Sequence, residues 1–174
     1  MTFTVDWFSP HIPIWEEKVL PKLRIMPHVN YLEIGSHEGR SLLWIRGQHS
    51  DLHATSIDPH LEGSWDNFIL NIDTDTRIIR DTSANALPEL LENKFSYHAI
   101  YIDGSHWAHD VLFDTVMSWR LLKSGGIMIW DDYGWLVDDD PIKGPKPAID
   151  AFLTCYRTQY KVVHIGYQFM VEKL

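Results

Sequence analysis

A chain of 174 residues, 45% apolar and 22% charged, holds material for one hydrophobic core and reads as a single globular domain over 1–174. Its net charge of −9 argues against a nucleic-acid partner, since phosphate recognition needs a basic face, and no apolar run nears the ~20 residues that cross a bilayer. Met1–Pro10 lacks the basic and apolar segments of a signal peptide, and a lone Cys155 cannot close an intrachain disulfide, so a soluble, cytoplasmic protein is expected.

Met1–Pro27 is punctuated by Pro10, Pro13, Pro21 and Pro27, and its stretch Ile14–Leu23 sets Trp15, Val19 and Leu23 near helical spacing. It is expected to form a cap or lid on a catalytic core of residues 28–174. In that core a strand–helix rhythm begins with strand Tyr31–Ile34, tight loop Gly35–Gly39 and helix Arg40–Arg46, ended by Gly47. Strand His53–Ile57 and a helix containing Trp65–Asn71 follow, then strand Arg77–Arg80 and helix Ala84–Glu92, with Thr82 or Ser83 as N-cap. After strand Tyr97–Ile102, helix His109–Leu122 carries Val111, Leu112, Thr115, Val116, Trp119 and Leu122 on one face. Lys123–Gly126 is expected to stop it ahead of strand Ile127–Trp130. Such alternation implies an α/β fold, a Rossmann-like parallel sheet with helices on both faces. Beyond the loop Asp138–Pro147 and a helix near Ala148–Arg157, the runs Lys161–Ile165 and Tyr167–Glu172 are separated clearly only by Gly166. That link is too short for a parallel crossover, so an antiparallel hairpin is expected.

Each of the five core strands closes on acid: Glu33, Asp58, Asp81, Asp103 and the pair Asp131–Asp132, at intervals of 25, 23, 22 and 28 residues. Ligands of open parallel sheets bind beyond the carboxyl ends of the strands, where strand order reverses. Carboxylates gathered there would form one acidic pocket, suited to a cationic or nucleoside-like ligand.

The first loop reads Glu33-Ile34-Gly35-Ser36-His37-Glu38-Gly39. It lacks the second glycine of a dinucleotide fingerprint and puts Glu38 where a diphosphate would be repelled. Taken alone it can be read as a tight strand-to-helix turn. Asp58 strengthens the ligand reading, because an acid at the second strand's end commonly accepts hydrogen bonds from ribose hydroxyls. The other reading of Asp58 is an exposed turn residue before Pro59.

Together, Tyr31–Gly39, Ser56–Pro59, Asp81–Leu90, Ile100–His106 and Leu121–Tyr133 resemble a class I S-adenosylmethionine-dependent methyltransferase. The nearest group is the small-molecule O-methyltransferases of macrocin and catechol type, and the similarity runs over about Asn30–Tyr133. The resemblance implies five parallel strands plus the C-terminal hairpin. It also implies that Glu33, Gly35 and Ser36 meet the methionine moiety of the donor, in the loop that Gly39 closes. Asp58 would hold the ribose, Ser83 would lie by the adenine, and Asp103 would stand beside the donor. A helix N-cap is the other reading of Ser83.

Metal-dependent relatives carry acids where Asp103, Asp131 and Asp132 stand, which implies a Mg²⁺ site. Three convergent carboxylates raise one another's pKa values. A hard divalent cation with waters relieves this and activates a hydroxyl. In the other reading Asp103 contacts the cofactor, Asp131 caps a loop and Asp132 is solvated. Macrocin-type relatives have a second acid where Ser105 stands, and catechol-type relatives a lysine where His106 stands. The chain departs from both, and His106 is the expected base, unless it is a fourth ligand or a substrate-positioning group; His109 is the fallback.

The expected activity is methyl transfer from S-adenosylmethionine to a hydroxyl of a small-molecule acceptor, assisted by Mg²⁺. Its rivals are a metal-independent N- or O-methyltransferase using His106, a nucleotide-binding oxidoreductase on the same sheet, and a non-catalytic binding module. Trp107, Trp130, Tyr133 and Trp135 are expected around the rim, with Trp7, Phe8 and Trp15 closing the pocket and Gly134–Pro147 gating it. His11 and the other scattered histidines are read as structural or surface, and Asp138–Asp140 as a solvated charge run. So short a lid implies either an open site or one completed by a partner subunit, the second alternative making the protein a homo-oligomer.

Overall fold

Five parallel strands, β1 (Val29–Ile34), β2 (Leu52–Ile57), β3 (Arg77–Ile79), β4 (Tyr97–Ile102) and β5 (Leu122–Trp130), are followed by the hairpin β6 (Tyr160–Ile165) and β7 (Phe169–Lys173). The computed structural model describes residues 2–61, 63–72, 75–135 and 137–174. Met1 of the expected cap and Leu136 of the expected gating loop lie outside them. The sheet order is β3-β2-β1-β4-β5-β7-β6, with β7 antiparallel to both β5 and β6. Strand order therefore reverses between β1 and β4, which pair in parallel from Tyr31↔Ala99 to Ile34↔Ile102.

Side chains alternate across a strand, so Leu32 and Ile34 of β1 enter one core while Val29 and Tyr31 enter the other. Both faces are covered, which is why these strands read as nearly continuous apolar runs. Helices α5 (Ser83–Glu92), α6 (Ala108–Leu121) and α7 (Lys146–Cys155) supply Leu87, Leu90, Trp119 and Phe152 to the first face. Helices α1 (Ile12–Lys18), α2 (Leu20–Leu23), α3 (Arg40–Arg46) and α4 (Trp65–Asn71) supply Trp15, Leu23, Leu42, Ile45 and Phe68 to the second.

Three expectations are corrected. The expected lid divides in two: Trp15, Val19 and Leu23 are fully buried against the sheet, because their four-residue spacing forms one apolar stripe, and only the residues ahead of α1 drape over the site. On α6 the buried stripe is Val111, Asp114, Thr115, Ser118 and Trp119, while Leu112 is 39% exposed. Polar residues take core positions there, and Thr115 accepts a hydrogen bond from Trp130 Nε1 at 2.8 Å. Finally, Lys123–Gly126 belongs to β5 rather than preceding it. Gly125 turns the chain at φ +74, and the β4–β5 register shifts between Tyr97 and Ala99.

Candidate functional site

The strand reversal brings the β1 and β4 loops into backbone contact. At Gly35, with φ +87, a Cβ would sit 2.0 Å from the Asp103 carbonyl oxygen, so no other residue fits unaltered. The loop is braced from beneath. Glu33 is fully buried and accepts from Tyr31 Oη at 2.6 Å and Ser41 Oγ at 2.7 Å. Burial raises its pKa to about 7, against the hydrogen bonds from Tyr31, Ser41 and Ser36. Glu33 therefore braces the loop from within. Asp58 binds the same loop to the end of β2: its oxygens accept the His37 N–H at 2.7 Å and the His60 N–H at 2.6 Å. Gly39, at φ +83, starts α3 against Ile72 and Phe68.

Asp81 does not join the pocket. It stands exposed at the mouth of α5, taking the Thr82 N–H at 2.7 Å and the Asn85 amide at 2.9 Å. Neither Thr82 nor Ser83 caps that helix with its side chain. The Ser83 hydroxyl instead donates to Asp114, a buried acid whose pKa burial lifts to about 6. Nothing in the sequence pattern marked Asp114, since it sits mid-helix among apolar neighbours.

The second rim lies beyond β4 and β5. Asp103, His106 and Asp132 each offer one ligand atom, all within 4.8 Å of one another. Of the expected metal set of Asp103, Asp131 and Asp132, Asp131 is not one of this trio, although the Tyr101 hydroxyl joins it to Asp103. Asp131 is buried, accepts from the Tyr101 hydroxyl and from Gln168 Nε2 at 3.2 Å, and supports the Asp132 N–H at 2.9 Å. Tyr101 also donates to Asp103 at 3.0 Å. Burial, and then the charges of Asp131 and Asp132, push the Asp103 carboxyl upward. Asp132 goes the other way: burial opposes ionisation, but hydrogen bonds from His106 and Tyr167 outweigh it. His106 Nε2 lies 2.7 Å from Asp132 Oδ2, with its ring against Trp135 at 4.0 Å. His109 points away to pair with Asp110 at 3.4 Å and is no fallback base in this arrangement. Ser105 donates to Asp110 at 2.6 Å, at the start of α6.

Sequence reasoning missed Tyr101, Gln168, Tyr167 and His11. Two-residue alternation could have placed Tyr101 beside Asp103. The others carry no such signal: His11 stacks on Tyr167 at 5.8 Å and reaches within 3.9 Å of Asp131 only through folding. Of the three aromatics expected over the pocket, Trp7 and Phe8 line the larger cleft, Trp7 exposed and tilted on His37 at 5.2 Å, while Trp15 is core. Asp138 pairs with Lys143 at 2.8 Å on the surface, and Asp140 caps the turn at Pro141.

Two clefts result. One, of about 370 Å³, runs between the N-terminal segment and the loop Gly35–Ser41. The other, of about 210 Å³, is lined by His106, Asp131, Asp132 and Trp130. Asp103 lines both. Among the described residues no helix is long and apolar enough to cross a membrane.

A family model described as "Methyltransferase domain" matches residues 32–133. Comparison with curated proteins gave no match. Among solved structures, the MycE methyltransferase from the mycinamycin biosynthetic pathway, in complex with Mg and SAH, is similar with a TM-score of 0.72 at 16% identity. That match covers 99% of this chain and 51% of MycE, so the chain spans about half the length of that protein. The O-methyltransferase TomG from Streptomyces achromogenes, in complex with SAM, gives a TM-score of 0.71 at 15% identity, covering 98% of this chain and 81% of that one. An O-methyltransferase from Bacillus cereus with SAH gives 0.64 at 17% identity, covering 88% and 78%. Identities this low speak for the fold.

Proposed function

The chain belongs to the methyltransferase-domain family matched over residues 32–133; from that premise we propose that it transfers a methyl group from S-adenosylmethionine to a hydroxyl of a small-molecule acceptor with divalent-metal assistance. The observation that carries this reading is Asp103 lining both clefts at once. One cleft takes the donor and the other the acceptor, and the reacting atoms meet across Asp103. Gly35 and Ser36 line the donor cleft, Gly39 and Asp58 shape its loop, and Ser83 stands at the adenine side. The donor, when bound, supplies an electrophilic methyl on a sulfonium, which an acid-lined cleft complements.

On the acceptor side the chain's own residues orient and deprotonate. Asp132 accepts Nε2–H of His106, which leaves Nδ1 to take the acceptor's hydroxyl proton. Trp135 packs the imidazole in place. Two carboxylates suit Mg²⁺, whose coordination waters would complete, so Asp103 and Asp132 would hold the ion. When bound there, a divalent cation lowers the pKa of a nearby hydroxyl and orients it. Alignment of donor and acceptor supplies most of the remaining acceleration.

A metal-independent reaction through His106 is the second reading, favoured by the 2.7 Å His106–Asp132 contact, which already engages one oxygen that a cation would need. The deciding experiment follows SAH release from a panel of small-molecule alcohols and phenols, with Mg²⁺ and with excess EDTA. Turnover that EDTA abolishes and Mg²⁺ restores is expected; undiminished turnover in EDTA selects the second reading. Turnover of amines alone would overturn the hydroxyl acceptor.

A further inference from the structure

The donor cleft is polarised in a way the family motifs do not account for. Among the described residues lining it, Asp103 and Glu38 are the acids, Glu38 being held by Thr4 and Asn67, and Arg40 is the permanent cation. Arg40 Nη1 lies 3.1 Å from Asp6 Oδ2, and the guanidinium rests over the Phe3 ring at 4.2 Å. Its Nε is enclosed and has no hydrogen-bond partner. A single contact, from Nη1 to Asp6, thus engages the guanidinium, although a guanidinium matches a carboxylate through two parallel N–H bonds. The hydroxyl next in sequence is not free for that task, since Ser41 donates to Glu33.

The segment that carries Asp6 is tied down at a separate point. Thr4 donates its N–H and hydroxyl to Glu38 at 2.7 and 2.9 Å, and Asn67 adds a third bond to the same carboxylate at 2.6 Å. Asp6 is also held by the Ser9 N–H at 2.9 Å. The strap therefore does not depend on the Asp6–Arg40 pair for its position, and that pair is free to exchange.

We propose that Arg40 anchors the carboxylate of the methyl donor's amino-acid end, and that Asp6 competes with that carboxylate for it. The inference rests on the donor reading above and adds how the donor is oriented: carboxylate toward Arg40, cationic groups toward the acids across the cleft. Asp6 then acts as a built-in rival that weakens donor and product alike and eases product release.

Calorimetry with two ligands tests this: S-adenosylhomocysteine, which has the carboxylate, and 5′-methylthioadenosine, which lacks the amino-acid end. Arg40→Gln is expected to weaken the first by about 10- to 100-fold, the range of a charge-assisted bond, while the second changes less than about threefold. Arg40→Lys keeps the charge without the fork and falls between; if Arg40→Gln melts early, it decides by the same ratio. Asp6→Asn is expected to tighten S-adenosylhomocysteine severalfold and leave 5′-methylthioadenosine unchanged. Equal losses for both ligands, no loss at Arg40, or a loss at Asp6→Asn matching that of Arg40→Gln overturns the assignment. Wild-type protein that binds neither ligand overturns the donor reading and this inference with it.

Discussion

The two rims of the cleft are built by different means from the same raw material. On the side of the larger cleft, Glu33 and Asp58 are bound up in hydrogen bonds within the protein, and Gly35 and Ser36 line the opening. On the acceptor side, carboxylates and an imidazole face one another directly, and Asp103, His106 and Asp132 remain clustered. An acid at a strand end is thus either a brace or a reagent, and the donors and charges around it decide which. A carboxylate enclosed next to hydroxyl donors is satisfied in place, whereas one left half-exposed beside like charges keeps a demand for a proton or a cation.

The largest effect that separates the rims is expected from Asp132→Asn. It removes the partner of His106 and Tyr167, so kcat should fall about 10²- to 10⁴-fold, the scale of general-base catalysis. Binding of S-adenosylhomocysteine should stay within about threefold; parallel losses would show the rims to be one unit. Gly35→Ala attacks the donor rim. With a Cβ forced against the Asp103 carbonyl at φ +87, urea denaturation should report about 3 kcal/mol of lost stability or more, together with lost product binding.

Asp114→Asn probes the layer beneath the donor rim through pH. The folded carboxyl titrates at about 6 instead of 3.8, so the folded state holds its proton more tightly than the unfolded one. That stability is fully present below about pH 3.8 and is lost as pH rises toward 6. The variant should match the wild type near pH 4 and exceed it by about 1–3 kcal/mol above pH 7. A stability difference independent of pH would refute this. Tyr167→Phe removes a half-exposed donor to Asp132, and about a fivefold fall in turnover is expected, roughly 1 kcal/mol.

Local regularities made much of the frame legible. Helix Arg40–Arg46 and strand Tyr97–Ile102 stand at the bounds expected of them, Trp65–Asn71 is helical as expected, and the short link at Gly166 foretold the antiparallel hairpin. The α6 stripe misled because Asp114 and Ser118 occupy buried positions, and a periodicity read from apolar residues slides away from buried polar ones. Asp81 misled for a different reason: β3 is a short edge strand, and its terminal acid turns outward to Asn85. On the acceptor side the trio was half legible. Asp103 and Asp132 followed from strand ends and His106 from its place after β4, but its contact with Asp132 was not foreseen, and His11 and Tyr167 were passed over.

What the chain alone determined is the succession of elements and the places where acid meets a strand end, because both depend on neighbours within a few residues. Tertiary structure decided which acids are enclosed and which are presented, and which remote side chains complete each rim. Enclosure depends on contacts such as His11 with Tyr167 or Asp6 with Arg40, which join segments far apart in sequence and leave no local pattern behind.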